Sequence, residues 1–226
     1  GALQWGPAND PITICNAAGY QSQVIAIADG AGGAFLAWSD QRLSSNAEIY
    51  IQHINANGAT TWTGNGTRVT NTSNTYNYDP ALCSDGAGGV IVSWTWNNNS
   101  SNIQVNAQRY NSSGTAQWIA NGVQLCTAPG FRAGRQIISD GSNGAIFFYL
   151  DTRNDVNGAN YGYVMFNTLT NTDIYAQRLS GAGTILWTTG GTAVTTAAGN
   201  QQMINRISAV SDSSGGGIVA FNDYRN

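Results

Sequence analysis

The chain has 226 residues, 42% hydrophobic and 10% aromatic, enough to bury a substantial core. Only 9% are charged, there is no lysine, and the net charge is −3 with no basic cluster, which excludes the positive surface that nucleic acid requires. No apolar run approaches the roughly 20 residues of a membrane-spanning helix, and low charge with many β-branched and aromatic residues marks an all-β chain rather than a disordered one.

The first predicted element is a strand within residues 1–15, around Trp5. It is the last quarter of a repeat whose other copies follow in fixed order. Trp5, Trp62, Trp118 and Trp187 stand 57, 56 and 69 residues apart, each in a Gly-x-x-x-Trp or similar phrase. Asp29-Gly-Ala-Gly-Gly returns at Asp85, as Asp140-Gly-Ser-Asn-Gly, and as Asp212-Ser-Ser-Gly-Gly. Ile49-Tyr-Ile-Gln-His-Ile returns as Val105-Asn-Ala-Gln-Arg-Tyr and Ile174-Tyr-Ala-Gln-Arg-Leu. Such periodicity means one supersecondary unit copied side by side. The repeats run over 23–70, 79–126, 134–195 with an insertion at 154–173, and a partial copy at 205–226; together they form one domain, 1–226.

The second repeat shows the unit most clearly. Pro80-Ala-Leu-Cys-Ser is a short strand stopped by the Asp85 turn, and Val90-Ile-Val-Ser-Trp is an apolar run fit to be covered on both faces. Val105-Asn-Ala-Gln-Arg-Tyr alternates, Asn111-Ser-Ser-Gly turns, and a fourth strand runs from Thr115-Ala-Gln-Trp towards Val123-Gln-Leu-Cys. Four short strands, A to D, joined by Gly-rich turns predict an antiparallel blade. The expected fold is an all-β β-propeller of four four-stranded repeats of about 56 residues, as four blades or an arc of a larger ring. The tally D, three times ABCD, then AB leaves a composite blade without a C strand. The chain is therefore expected to be a fragment, unless something else fills the gap. No signal peptide is visible, but the chain opens mid-repeat, and its true start is expected to lie upstream.

Recurrence favours structural roles. Asp29, Asp85, Asp140 and Asp212 each supply one carboxylate to a Gly-rich turn, which suits turn capping and not the six or more oxygens of calcium. Trp5, Trp62, Trp118 and Trp187 read as wedges between repeats rather than sugar platforms. Asp40-Gln-Arg42, Asp151-Thr-Arg153 and Asp223-Tyr-Arg225 end three B strands and read as local salt bridges that pin the following loop. Cys15, Cys83 and Cys126 read as small buried hydrophobes, with a Cys83–Cys126 disulfide as the alternative. With His53 the only histidine, no metal site is expected.

The variable loops should gather on one face, where binding usually lives. The D–A loops carry Tyr20, Tyr76 and Tyr78, and Phe131, Arg132 and Arg135; the insertion carries Tyr161, Tyr163, Met165 and Phe166; Trp96 ends the odd B strand. These are the candidate ligand-binding residues, although the insertion could equally fold as an extra hairpin. Catalysis is not expected. Glu48 is the only glutamate, His53 is replaced by Arg109 and Arg178 in sister repeats, and only Asp155 and Asp173 make an acid pair worth attention. No cofactor is expected.

The units Ser-Asp-Gly-Ala-Gly-Gly-(apolar)-Trp-x-Asp-x-Arg, Ile-Tyr-Ala-Gln-Arg-Leu and Asn-Gly-Val-x-Leu-Cys-Thr-Ala resemble repeats of large secreted bacterial surface proteins. The match covers nearly the whole chain apart from the insertion. The resemblance implies an extracellular or cell-surface propeller and names no substrate; sialidase Asp-boxes are less similar. The expected function is a non-enzymatic binding or adhesion module for a glycan or surface protein. The alternatives are a structural subunit completed by strand addition, from further copies of itself or the rest of a longer chain, and a sialidase-like hydrolase. Sequons at Asn65, Asn71, Asn98, Asn99 and Asn111 permit glycosylation in a suitable cell.

Overall fold

A computed structural model describes residues 5–6, 11–72, 75–98, 103–154, 172–197 and 208–222. Among these the chain is all-β, without a helix. The first sheet holds β1 (Gln21–Ala28), β2 (Ala34–Asp40), β3 (Glu48–Ile54) and β4 (Thr67–Arg68). The second holds β5 (Tyr76–Ser84), β6 (Val90–Asn97), β7 (Gln104–Tyr110) and β8 (Val123–Gln124). The third holds β9 (Arg132–Ser139), β10 (Ala145–Asp151), β11 (Asp173–Leu179) and β12 (Thr192–Thr195), and a fourth pairs β13 (Ser208–Ser211) with β14 (Gly217–Ala220). Every neighbour pair is antiparallel and in chain order, so each sheet is a simple meander.

The A–B turns close because one side chain does two jobs. Asp29 Oδ1 accepts the amides of Ala31 and Gly33 at 2.7 and 2.8 Å, and Asp85, Asp140 and Asp212 repeat the pattern. In the first three turns the other carboxylate oxygen holds the C strand: Asp29 meets His53 Nε2, Asp85 meets Arg109 Nε, and Asp140 meets Arg178 Nε, all at 2.9 Å. His53 thus sits where its sister repeats place arginine, in a structural bond that holds the Asp29 carboxyl below its ordinary value.

The D strands are shorter than the sequence suggests. After the C–D turn comes a single bridge, Ile54↔Thr60, Tyr110↔Ala116 or Leu179↔Ile185, and the ladder resumes only at β4, β8 or β12. Between lies the tryptophan, which leaves the sheet for the next repeat. Trp5 Nε1 donates to Ala56 O, Trp62 Nε1 to Ser112 O and Trp118 Nε1 to Gly181 O, at 2.9–3.1 Å. Each ring lies on a C–D turn glycine with positive φ; a Cβ on Gly58, Gly114 or Gly183 would come within 2.9 Å of it.

A buried glutamine fills the gap in the ladder. Gln108 Oε1 accepts the amides of both Arg109 and Trp118 at 2.9 Å, and its Nε2 donates to Ile119 O at 2.8 Å. Gln52 and Gln177 do the same around Trp62 and Trp187. The side chain stands in for the D-strand backbone that the tryptophan pulls away.

Among the described residues the core consists of three clusters, each between consecutive sheets. Phe35, Ile51, Val92 and Trp94 join the first to the second. Cys83, Ile91, Phe147 and Tyr149 join the second to the third. Ile138, Ile146, Ala209 and Val219 join the third to the fourth, with Trp187 beside them. The Cys83–Cys126 disulfide does not form, and all three cysteines are free thiols. Burial pushes the Cys83 thiol far above its usual range. A thiol titration of the folded protein is expected to modify the half-buried Cys15 and spare Cys83 and Cys126, with three equivalents reacting after denaturation. Fewer than three would restore the disulfide.

Candidate functional site

The end of the sheets that carries the B–C and D–A loops is stitched into one surface by backbone bonds. Gln41 N donates to Tyr20 O and Thr152 N to Phe131 O, tying the D–A loops of the first and third repeats to the B–C loops of the same repeats. Asn77 N donates to Ala47 O and Arg132 N to Ile103 O, tying the second and third D–A loops to the repeat before. The loops therefore converge, held by the sheets on either side.

The Asp-x-Arg units are closed knots at this end. Asp40 accepts from the Arg42 amide, Nε and Nη2 and from Trp38 Nε1. Burial raises the Asp40 carboxyl, but these donors outweigh it and hold the group below its ordinary value. Arg42 Nη2 also reaches Asn65 O, with Cys15 Sγ at 3.2 Å, and its guanidinium lies 3.8 Å over the Tyr50 ring. Asp151 and Arg153 repeat this, with Gly190 O, Cys126 and Tyr175 as partners. Both guanidinium groups are committed inward. Asp223 and Arg225 lie outside the described residues.

The second repeat departs from this pattern. Trp96 stands in the place of Asp40 and Asp151, so the indole nitrogen of Trp94 has no acceptor among the described residues. Trp96 itself is half-buried against the first core cluster rather than open as a platform. The start of each C strand is polar and buried: Glu48, Gln104 and Asp173. Glu48 is satisfied by Arg68 at 2.9 Å, by Thr70 and by Asn77. Asp173 has the Asn154 amide on Oδ2 at 2.7 Å, while Oδ1 has no partner among the described residues, and burial raises its carboxyl above the ordinary value.

A raised folded-state pKa means that the ionised Asp173 carboxylate costs stability at neutral pH, and that this cost fades as pH falls through that pKa. Asp173→Asn is therefore expected to raise the melting temperature at pH 7 by a few degrees, since about 1 kcal/mol moves Tm by ~2–4 °C at this size. The gain should shrink towards zero as pH is lowered through the carboxylate range. A melting series across pH checks it; a gain that persisted at low pH would point to packing instead.

The D–A loop residues divide. Tyr20, Tyr76 and Phe131 occupy equivalent positions before the bulge of each A strand, yet Tyr20 and Tyr76 are 66% and 38% exposed while Phe131 is buried. Arg132 corrects the expectation of an exposed ligand contact. Its guanidinium is fully buried and donates to Asp151 Oδ2, Gln104 Oε1, Gly130 O and Pro129 O at 2.8–3.3 Å. Tyr78 is half-buried. Tyr161, Tyr163, Met165, Phe166 and Asp155 lie outside the described residues, as does the Arg135 side chain.

The structure adds a feature that the sequence reading missed. Each of β1, β5 and β9 carries a bulge at the same depth, and the bulges line an open groove of about 300 Å³ formed by Gln23, Val24, Ile25, Asp79, Pro80, Ala81 and Gly134. Gln23 and Asp79 hold positive φ of 54° and 53° and clasp each other: Gln23 Nε2 donates to Asp79 Oδ1 at 2.8 Å, and Asp79 N donates to Gln23 Oε1 at 3.0 Å. Such non-glycine strain persists only where surroundings enforce it. Proline inside an apolar strand marks a bulge, so Asp79-Pro80 was the available signal. Among the described residues no group of three or more His, Cys, Asp or Glu is placed to hold a metal. The groove offers the Gln23 amide, the Asp79 carboxylate and the apolar side chains of Val24, Ile25, Pro80 and Ala81, which suit hydrogen bonding and apolar contact.

No protein-family model matches the chain, and no curated protein shows significant similarity to it.

Proposed function

We propose that this chain is an arc of a β-propeller, each sheet one blade, acting as a non-enzymatic extracellular binding or adhesion module. Its loop end engages a glycan or a surface protein. Support for the propeller comes from the packing of successive meanders face to face, with the first strands β1, β5, β9 and β13 adjoining in turn. The observation that carries the binding role is the division of labour at the loop end. The described arginines there, Arg42, Arg132 and Arg153, are locked in structural pairs, while Tyr20 and Tyr76 stand exposed near a groove at the lower end of ligand-sized clefts. Exposed tyrosine is rigid and amphipathic, suited to a sugar face or a protein partner.

A glycan array followed by calorimetry on its best binder tests this. Tyr20→Ala with Tyr76→Ala is expected to weaken that ligand at least about tenfold, some 1.4 kcal/mol, with the fold unchanged. Tyr161→Ala with Phe166→Ala tests the insertion in the same assay. Unchanged affinity in both variants would remove the loop end as the binding site.

A further inference from the structure

The clasp at the first A–B turn differs from its sisters in two places at once. Where Asp85 and Asp140 hold arginine, Asp29 holds His53. The residue whose amide bonds the carbonyl of that C-strand position is Gln117 in the second repeat, Leu186 in the third and Thr61 in the first. His53 Nδ1 and Thr61 Oγ1 stand 2.7 Å apart, and His53 Nε2 lies 2.9 Å from Asp29 Oδ2. Carboxylate, imidazole and hydroxyl thus form one chain of hydrogen bonds, and neither sister repeat has the residues to form it.

The direction of that chain follows from its first member. Asp29 is held below its ordinary value and, as a carboxylate, only accepts, so Nε2 carries the ring proton. The neutral ring then presents its Nδ1 lone pair, and the Thr61 hydroxyl donates to it. The His53 carbonyl, the other acceptor given for this hydroxyl, is farther away at 3.4 Å. Arginine stays protonated and has no lone pair to offer, so the sister clasps contain no base.

The parts are held in place. Phe35 stacks on the imidazole with ring centroids 4.5 Å apart, and the Thr61 amide donates to the His53 carbonyl at 2.9 Å. The His53 and Asp29 side chains are 16% and 7% exposed, whereas Thr61 is exposed. The base is enclosed and the hydroxyl is open to solvent. Trp62 flanks the ring on the side of the second sheet and donates to Ser112 O there, so the cluster sits at a junction that the chain completes by itself. A nucleophile, a base within hydrogen-bond reach and a third group that orients the base are the parts of an activated hydroxyl.

We propose that Thr61 is an acyl-acceptor site, a hydroxyl that takes a small acyl group from an activated ester such as an aryl ester or thioester. Thr61 Oγ1 attacks the carbonyl carbon and forms the new C–O bond while its proton passes to His53 Nδ1. The bond to the leaving group breaks, that group departs with the electron pair, and the proton passes from His53 to it or to solvent. The product is an ester of Thr61, and Asp29 balances the imidazolium charge between the two proton transfers. The site lies at the turn end of the sheets and is independent of any ligand at the loop end.

The test uses 4-nitrophenyl acetate, with Cys15 first blocked by N-ethylmaleimide; the chain has no lysine to compete for the acetyl group. Release of 4-nitrophenol and a gain in intact mass are expected, with peptide mapping placing an acetyl group on Thr61. Thr61→Val should remove that label. His53→Arg is the sharper variant, because Arg109 and Arg178 show that the clasp folds with arginine. It should slow acetylation of Thr61 about hundredfold, the effect of losing a general base. Wild-type protein with no acetyl group on Thr61 would overturn the proposal, and so would equal rates of Thr61 acetylation in wild type and His53→Arg.

Discussion

Gln108→Leu is expected to lower the unfolding free energy by about 3–5 kcal/mol, although leucine fits an apolar strand. The amide carries three bonds in a fully enclosed place, and its loss strands the amides of Arg109 and Trp118 and the Ile119 carbonyl. A buried group left without a partner costs about 1–3 kcal/mol, and no backbone is available to replace the glutamine, because the tryptophan has drawn the D strand out of reach. Urea unfolding of this variant beside the exposed Gln117→Leu, expected within about 0.5 kcal/mol of wild type, measures the difference. Equal behaviour of the two would show that Gln108 is not the tie described.

Arg132→Met should cost about 3–5 kcal/mol. Methionine matches the length of the arginine stem, so the loss falls on the guanidinium. Without it Gln104 Oε1 and the Pro129 and Gly130 carbonyls lose a donor between the second and third sheets, and among the described residues Asp151 keeps Arg153. Arg132→Lys retains the charge but cannot reach four acceptors from one nitrogen, and should fall between wild type and methionine. Melting of the three proteins at neutral pH gives the ranking. A methionine variant as stable as wild type would mean that the cluster is neutral to stability, as some buried ion pairs are when replaced by apolar groups.

The periodic parts of the fold were legible in the sequence. Asp29 and its copies, the apolar B strands and the spaced tryptophans each repeat a local solution, and repetition separates a structural role from a private one. The glutamine of Ile-Tyr-Ala-Gln-Arg-Leu repeats as faithfully, yet its role stayed hidden, because alternation in a strand makes a polar side chain look solvated. Its partners are ten or eleven residues downstream, in a stretch that itself departs from the ladder. Arg132 was misplaced for a related reason. A loop arginine reads as surface until Gln104, 28 residues before it, and Asp151, 19 after, close over it. The groove depends on three bulges aligning across sheets, which no single stretch of sequence announces; only Asp79-Pro80 hinted at it. Tyr20 and Tyr76 read in the sequence as loop aromatics, and in the structure they are the same position in successive repeats.

The tryptophan always reaches forward: Trp5, Trp62 and Trp118 each meet a glycine that belongs to the following copy. The thing that repeats is therefore a junction, half of it encoded in one period and half in the next. A tandem duplication of one whole period supplies both halves of a new junction wherever its breakpoints fall, so such a chain can lengthen without any new contact having to evolve. Substitution is the more constrained route, since an enlarged turn residue in one copy is tolerated only if the indole of the preceding copy shrinks with it.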